Sequence, residues 1–397
     1  MTHAVRFEFT APPLIVFGAG AVDRVGELAA RFGRRAWLVT GAHALERSGV
    51  VGRAIECLAA AGVSVARQSV GGEPDTAVVD RGARGAREAG CDLVIGLGGG
   101  SALDAAKAGA CLLGNGGEAL DYLEVVGRGR PLTKPSAPFL AVPTTAGTGS
   151  EVTRNAVIAD AARGVKASIR HESLLPRVAL LDPSLTHSLP PDVTARTGLD
   201  AIVQLIEPYV SKHDHAMIDV LALEGLRRAA PALPRAYADG EDAEARADLM
   251  LAAMWSGMAL AHCGLGAAHA LAGPLGGAFP VPHGVACAAT MSWVMAANLR
   301  AAARGAAGAG TLRRYADVAR AMGAADHQGD EEAAVAGVEH LRELCELLNV
   351  PKLSVYGVTR EAIPGLVARA KATSSMKANP AELSDADLAG VLEHAIG

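Results

Sequence analysis

The apolar run Leu93-Val94-Ile95-Gly96-Leu97 ends on three consecutive glycines, Gly98-Gly99-Gly100, and passes directly into Ser101-Ala102-Leu103-Asp104-Ala105-Ala106-Lys107. A short aliphatic run reads as a buried strand, and the Ala-rich segment after it reads as a helix. A strand, a glycine turn and a helix in immediate succession form a βα unit, which needs a parallel neighbour strand to pack beside.

Four further runs repeat the strand signal: Ala36-Trp37-Leu38-Val39-Thr40, Val63-Ser64-Val65-Ala66, Phe139-Leu140-Ala141-Val142-Pro143 and Val178-Ala179-Leu180-Leu181-Asp182-Pro183. Helical windows at 46–61 and 77–89 lie between them. This alternation predicts a mostly parallel sheet covered on both faces. After Pro190-Pro191 the strand pattern stops. Segments 192–210, 214–232, 242–263, 284–305, 311–323, 331–348 and 359–373 have helical periodicity or composition, and Ser384-Asp385-Ala386-Asp387 opens a last helix with N-cap chemistry. The expected organisation is an α/β domain over residues 1–187 and an all-helical domain over 188–397.

Half of the 397 residues are hydrophobic and 20% are charged, enough apolar surface for large cores and too little charge for extended disorder. The net charge is −5, and no Lys/Arg block marks a nucleic-acid or membrane footprint. The six cysteines include no Cys-x-x-Cys pair and read as thiols in a reducing compartment. The N-terminal residues lack the apolar run of a signal peptide, and no stretch of roughly 18 uninterrupted apolar residues suggests a membrane span. The expected location is the cytoplasm.

The glycine turn lets a ligand approach the backbone and permits positive φ, and the free N–H groups and positive dipole end of the helix beginning near Ser101 suit a pyrophosphate. The alternative is a tight βα turn with no ligand. The spacing is neither Gly-x-Gly-x-x-Gly nor a Walker loop. A second cluster, Pro143-Thr144-Thr145-Ala146-Gly147-Thr148-Gly149-Ser150-Glu151-Val152-Thr153, follows a buried-looking strand. Its hydroxyls suit a polar cofactor; a Ser/Thr-rich turn capping the next helix is the alternative.

These two clusters together resemble the paired signature of the iron-containing (group III) alcohol dehydrogenases. Phe17-Gly18-Ala19-Gly20 resembles that family's opening hairpin, Gly198-Leu199-Asp200-Ala201 its first metal segment, and Gly264-Leu265-Gly266-Ala267-Ala268-His269 and Pro282-His283-Gly284 its histidine segments. The likeness runs along nearly the whole chain. It implies the dehydroquinate synthase-like architecture, with an active site in the cleft between an N-terminal α/β dinucleotide-binding domain and an all-helical metal and substrate domain. It also implies hydride transfer between a nicotinamide, NAD or NADP, and a small alcohol or aldehyde. A homodimer is the expected assembly.

The resemblance implies that Gly98, Gly99, Gly100, Ser101, Asp104, Thr144, Thr145, Thr148 and Ser150 serve the cofactor, with Lys166 at the place of a cofactor-contacting lysine; an ordinary surface lysine is the alternative for Lys166. It implies Asp200, His269 and His283 as ligands of Fe²⁺ or Zn²⁺, which would polarise a carbonyl or lower the pKa of an alcohol. The fourth position departs from the family's Asp-x-x-x-His, because Gln204 stands where the imidazole would be. Three outcomes stay open: Gln204 ligates, water replaces it, or the metal is weakly held or lost. Related glycerol dehydrogenases use Asp and two His around zinc, and related maleylacetate reductases work without metal on an oxo acid; the latter is the alternative function. A dehydroquinate-synthase-like lyase shares the architecture but fits the threonine loop less well. Gly273 occupies a position where many members carry another histidine, while His262, where Asn is more usual, is either a proton carrier or a helix-terminal residue. The expected adenosine strand ends at Thr40-Gly41 with no carboxylate, and His43 and Arg47 nearby suit a 2′-phosphate, so NADP tolerance is expected.

Overall fold

The computed structural model describes residues 6–42, 44–161, 163–308, 310–326 and 329–397. His43 lies outside them. Among the described residues there are eight strands: β1 (Ile15–Phe17), β2 (Arg35–Gly41), β3 (Ser64–Val70), β4 (Leu93–Gly98), β5 (Phe139–Pro143), β6 (Asn155–Asp160), β7 (Val165–Arg170) and β8 (Val178–Leu181). Six form one sheet in the order β1-β8-β5-β4-β2-β3, every pair parallel. All residues of β4 and β5 are buried, as aliphatic strands covered on both faces require.

The order explains where a ligand can sit. From β2 the chain moves outward to β3; from β4 it moves the opposite way to β5. Neighbours β2 and β4 therefore flank the point where the winding reverses, and open α/β sheets bind ligands at the carboxyl ends of such strands. Those ends are Thr40 and Gly41 on β2 and Gly98 on β4, with Thr40 opposite Leu97 and Gly98 opposite Pro143 of β5.

Several expectations are corrected in detail. Phe17-Gly18 does not open a hairpin, since β1 pairs parallel with β8. The window 46–61 is two helices, Ala44–Arg47 and Val50–Ala60, separated at Gly49, whose left-handed φ of 76° interrupts the helical path. An antiparallel hairpin, β6–β7, was not anticipated. The glycine triplet does not use positive φ: Gly99 has φ −74°, and none of the three is in the left-handed region.

The chain divides into two compact units. The α/β unit is Thr10–Ser188, and the helical unit is Leu189–Gly397 joined by residues 6–9. The N-terminal stretch goes with the helices because Phe7 and Phe9 lie against His215 and His262, with ring centroids 4.6 and 4.7 Å apart respectively, and His215 Nε2 is 3.1 Å from the Glu8 carbonyl oxygen.

The helices that position functional groups are α1 (Gly100–Asn115), α2 (Pro191–Val210), α3 (Ala243–Cys263), α4 (Ala267–Ala278) and α5 (His283–Ala303). Helix α2 packs against Ala216–Ala238, α3 and α5, and every residue from Gly198 to Val210 is buried. Helix α4 follows the glycine-rich segment Gly264–Gly266 that leads to His269; Gly273, Pro274, Gly276 and Gly277 weaken its propensity, and burial of Ala267–Ala272 and Leu275 overrides that.

Candidate active site

Two constellations emerge, one in each unit. In the α/β unit, Gly99 caps α1, and Ser101 lies in its first turn. The glycines serve close approach. A Cβ on Gly98 would lie 3.0 Å from the backbone nitrogen of Gly41 and 2.7 Å from Ala102 Cβ; one on Gly100 would lie 2.9 Å from the Thr148 side chain. The two strand ends thus meet backbone to backbone, leaving the first-turn N–H groups of α1 suited to an anion.

Helix α1 also fastens the threonine loop. Thr144 N donates to Gly98 O at 3.0 Å. Asp104 accepts from Ser150 Oγ at 2.6 Å and from Val157 N at 3.1 Å. Lys107 is fully buried and donates to Ser150 O (2.8 Å), Thr153 Oγ1 (2.9 Å) and Asn155 O (2.6 Å). Burial lowers the Lys107 pKa and raises that of Asp104, while their mutual attraction opposes both shifts. Asp104 and Ser150 therefore engage each other, and the loop is held by a buried charge that satisfies three backbone or hydroxyl acceptors. Thr148 Oγ1 accepts from Ser150 N at 3.3 Å. Thr145 stands beside Gly99, its side chain 3.3 Å from where a Cβ would be. Thr40 is buried, and its Oγ1 makes no hydrogen bond among the described residues. Lys166, on β7, is ion-paired with Glu73 at 2.6 Å.

In the helical unit, Asp200, Gln204 and Glu207 follow one face of α2 at helical spacing, all buried. His269 comes from the first turn of α4, and His283 begins α5 after Pro282, which cannot extend the helix backward. Asp200 Oδ1 is 3.4 Å from His269 Nε2 and 3.9 Å from His283 Nε2. His269 Nδ1 lies 2.6 Å from Glu207 Oε2. A Glu207 carboxylate only accepts, so Nδ1 carries the proton and the Nε2 lone pair faces Asp200.

Both Asp200 Oδ1 and His269 Nε2 are buried without a hydrogen-bond partner among the described residues. Two facing electron-pair donors in a dry pocket are costly unless a cation lies between them. A carboxylate and two imidazoles converge here, and Cys287 joins them: the four ligand atoms lie within 4.8 Å of one another. The donors fit a divalent transition-metal ion. Without one, the anionic surroundings recruit protons. His283, whose side chain is partly exposed, is pushed up to about 9 by the neighbouring Cys287 sulfur, against partial desolvation and with help from Asp200. Burial opposes the charge on His269, yet Cys287, Glu207 and Asp200 outweigh it and raise its pKa well above the ordinary value. Burial also opposes the Asp200 charge, and His269 and His283 overcome it, holding that carboxyl low.

Gln204 does not turn its oxygen to the centre. Its Nε2 donates to Asp200 Oδ2 at 2.8 Å, and Oε1 accepts from Ser256 Oγ at 3.4 Å. His262 is outside the four-residue group. It stacks on Phe9, and its Nδ1 is 2.7 Å from Met258 O. Sequence reasoning missed Cys287 and Glu207. Cys287 was discernible as the residue four after His283, but a lone cysteine in an Ala-rich helix reads as a packed thiol. Glu207 gains its role only when α4 brings His269 to it.

Among the described residues, no single helix is long and apolar enough to cross a membrane. Comparison with known proteins bears on the whole chain. The family model for iron-containing alcohol dehydrogenase matches residues 12–183, and that for the Fe-containing alcohol dehydrogenase family C-terminal region matches 194–396. A choline dehydrogenase of Bacillus subtilis (strain 168) is 36% identical over 379 residues, covering 95% of this chain and 92% of the relative. An NAD-dependent methanol dehydrogenase of Bacillus methanolicus is 33% identical, covering 98% of this chain and 99% of the relative. The crystal structure of a 1,3-propanediol oxidoreductase superposes with a TM-score of 0.91 at 31% identity, covering 98% of this chain and 100% of that one. With its dinucleotide-type sheet, its metal-fitting donors and these likenesses across both units, the chain belongs to the iron-containing alcohol dehydrogenase family, oxidoreductases acting on CH–OH groups.

Proposed function

We propose that this protein interconverts a small alcohol and its aldehyde by hydride exchange with a nicotinamide dinucleotide, and that Asp200, His269 and His283 hold the divalent ion this requires. The carrying observation is the buried, unpartnered pair Asp200 Oδ1 and His269 Nε2, 3.4 Å apart. When bound, the nicotinamide supplies the hydride and the ion supplies Lewis acidity toward the carbonyl or alcohol oxygen. The chain's own work is positional. Glu207 fixes the His269 tautomer, Gln204 orients the Asp200 carboxylate, and burial excludes water from both.

The dinucleotide reading rests on Gly98, Gly99, Gly100 and Ser101 at the winding reversal, with Thr40, Gly41, Thr144, Thr145 and Thr148 around the same strand ends. Lys166 is a further cofactor contact in this reading, available on release from Glu73. Asp104 and Ser150 support the loop rather than the ligand. His262, committed to Phe9 and Met258 O, is given no part in the reaction.

Gly41 leaves the end of β2 without a carboxylate, and the nearby Glu46 is ion-paired with Arg67, so a 2′-phosphate is tolerated. A cytoplasmic location accords with six free thiols, and the homodimer rests on the family resemblance, checked by light scattering.

The test is a screen of alcohols and aldehydes with NAD(H) and NADP(H), on chelated protein and after Fe²⁺ or Zn²⁺ is restored. Activity that returns with metal supports the reading. Full activity on oxo acids without metal would replace it with the metal-independent reductase. Catalytic efficiency with NADPH below about a hundredth of that with NADH, roughly 2.7 kcal/mol, would refute NADP tolerance.

A further inference from the structure

The fourth protein group at the centre is a thiol. Cys287 is fully buried on α5, one turn after His283, and its Sγ is 3.7 Å from His283 Nε2. It lies within 4.8 Å of the ligand atoms of Asp200 and His269 as well. Metal–sulfur bonds of about 2.3 Å and metal–nitrogen or metal–oxygen bonds of about 2.0–2.1 Å give a tetrahedron whose S···N edge is about 3.6 Å and whose N···O edge is about 3.3 Å. The Cys287–His283 separation is 3.7 Å and the His269–Asp200 separation 3.4 Å, close to those edges; His283–Asp200, at 3.9 Å, is slightly wide.

Gln204 meanwhile is employed elsewhere. Its amide nitrogen donates to Asp200 Oδ2, and its oxygen accepts from Ser256. Residue 204 thus orients a ligand instead of being one, and one corner of the donor set is left for another side chain.

We propose that Cys287 is the fourth protein ligand, so that the centre is Asp200–His269–His283–Cys287 and selects zinc over iron(II). This rests on the reading that the chain holds a metal here. Coordination forms one sulfur–metal bond and releases the thiol proton to solvent, with no change of oxidation state. A thiolate is a softer donor than the imidazole it replaces, and softness shifts preference toward zinc. A zinc ion held by these four groups would still have room for the substrate oxygen as a fifth donor, a coordination number zinc permits.

Zinc K-edge X-ray absorption on the zinc-loaded, unmutated protein reads the donor set directly. One sulfur scatterer at about 2.3 Å beside nitrogen and oxygen at about 2.0–2.1 Å is the expected result. Cobalt-loaded protein should show a thiolate-to-cobalt charge-transfer band in the near ultraviolet, lost in Cys287→Ser and retained in Gln204→Ala. In competition, Cys287→Ser should lower the zinc-over-iron preference at least tenfold. A bound ion with a shell of nitrogen and oxygen only, a band that survives Cys287→Ser, or an unchanged metal preference overturns the proposal and leaves the alcohol dehydrogenase reading standing. Failure to bind any divalent ion overturns both.

Discussion

Glu207 and His269 are joined by a 2.6 Å hydrogen bond between Oε2 and Nδ1, while the other Glu207 oxygen accepts the backbone N–H of Ala268 at 2.7 Å. One carboxylate thus caps the start of α4 and sets which nitrogen of His269 is free. Glu207→Gln keeps the shape but removes the charge and offers the ring a weaker acceptor. Metal affinity, measured by competition with a chromogenic chelator, should fall about 10–100-fold, the usual cost of losing such a partner, with far-UV circular dichroism unchanged. Unaltered affinity would show that the His269 tautomer is set by something else.

At the glycine turn, Gly99 has φ −74°, a conformation any residue can adopt, and its nearest neighbour for an added Cβ is Thr145 at 3.3 Å. The chain therefore accommodates a side chain there with a small shift, and what a larger one blocks is the ligand. Gly99→Val should weaken cofactor binding at least tenfold, about 1.4 kcal/mol, in a fluorescence titration, with little loss of thermal stability. Cofactor affinity equal to that of the unmutated protein would remove the phosphate from this turn.

Local patterns were readable and remote ones were not. Leu93–Leu97 followed by glycines and an Ala-rich helix carries its own geometry, and β4 and α1 sit there within a residue or two. Asp200, His269 and His283 were identified by family likeness and do converge. The β6–β7 hairpin was missed because its apolar residues come in short runs broken by polar ones, Lys166 among them, and beyond its own pairing it makes one bridge, Ala159 to Asp75. The extent of helix α4 was not legible because tertiary burial, absent from any local window, stabilises a glycine- and proline-containing segment. The employment of Asp104, Lys107 and Gln204 depends on partners up to 53 positions away, which no spacing rule supplies.

Glu151 lies in the threonine loop, buried, and burial pushes its carboxyl up to about 7 from an ordinary 4.5, with Lys107 partly opposing. The folded state therefore keeps a proton that the unfolded chain has lost between those two values. The associated stability is fully present below about 4.5 and is lost as pH rises through about 7. Glu151→Gln removes the ionisation, so the variant should melt at a higher temperature than the unmutated protein at pH 8 and at a similar temperature at pH 4.5. The gain at pH 8 should be on the order of 3 kcal/mol. Scanning calorimetry at both pH values checks this; an equal difference at each would mean that shape, not charge, distinguishes the two residues.

Gln204 sits one helical turn after Asp200, at the spacing that places two side chains together on one face. Its amide nitrogen holds Asp200 Oδ2 and contributes no strong donor to the centre. Gln204→His exchanges that orienting bond for an imidazole, a better donor to Fe²⁺ or Zn²⁺ than a neutral amide oxygen. Asp200 loses one hydrogen bond but gains a neighbour able to share its ion. Metal retention should increase, read as slower release to a chelator, and iron(II) should compete better against zinc than in the unmutated protein because nitrogen then joins the donor set. Released metal is assayed directly, alongside activity of the chelated protein before and after metal is restored. Retention no better than in the unmutated protein would show that position 204 lies out of reach of the ion. Full activity without metal in both proteins would refute the metal-dependent mechanism and favour the metal-independent reductase.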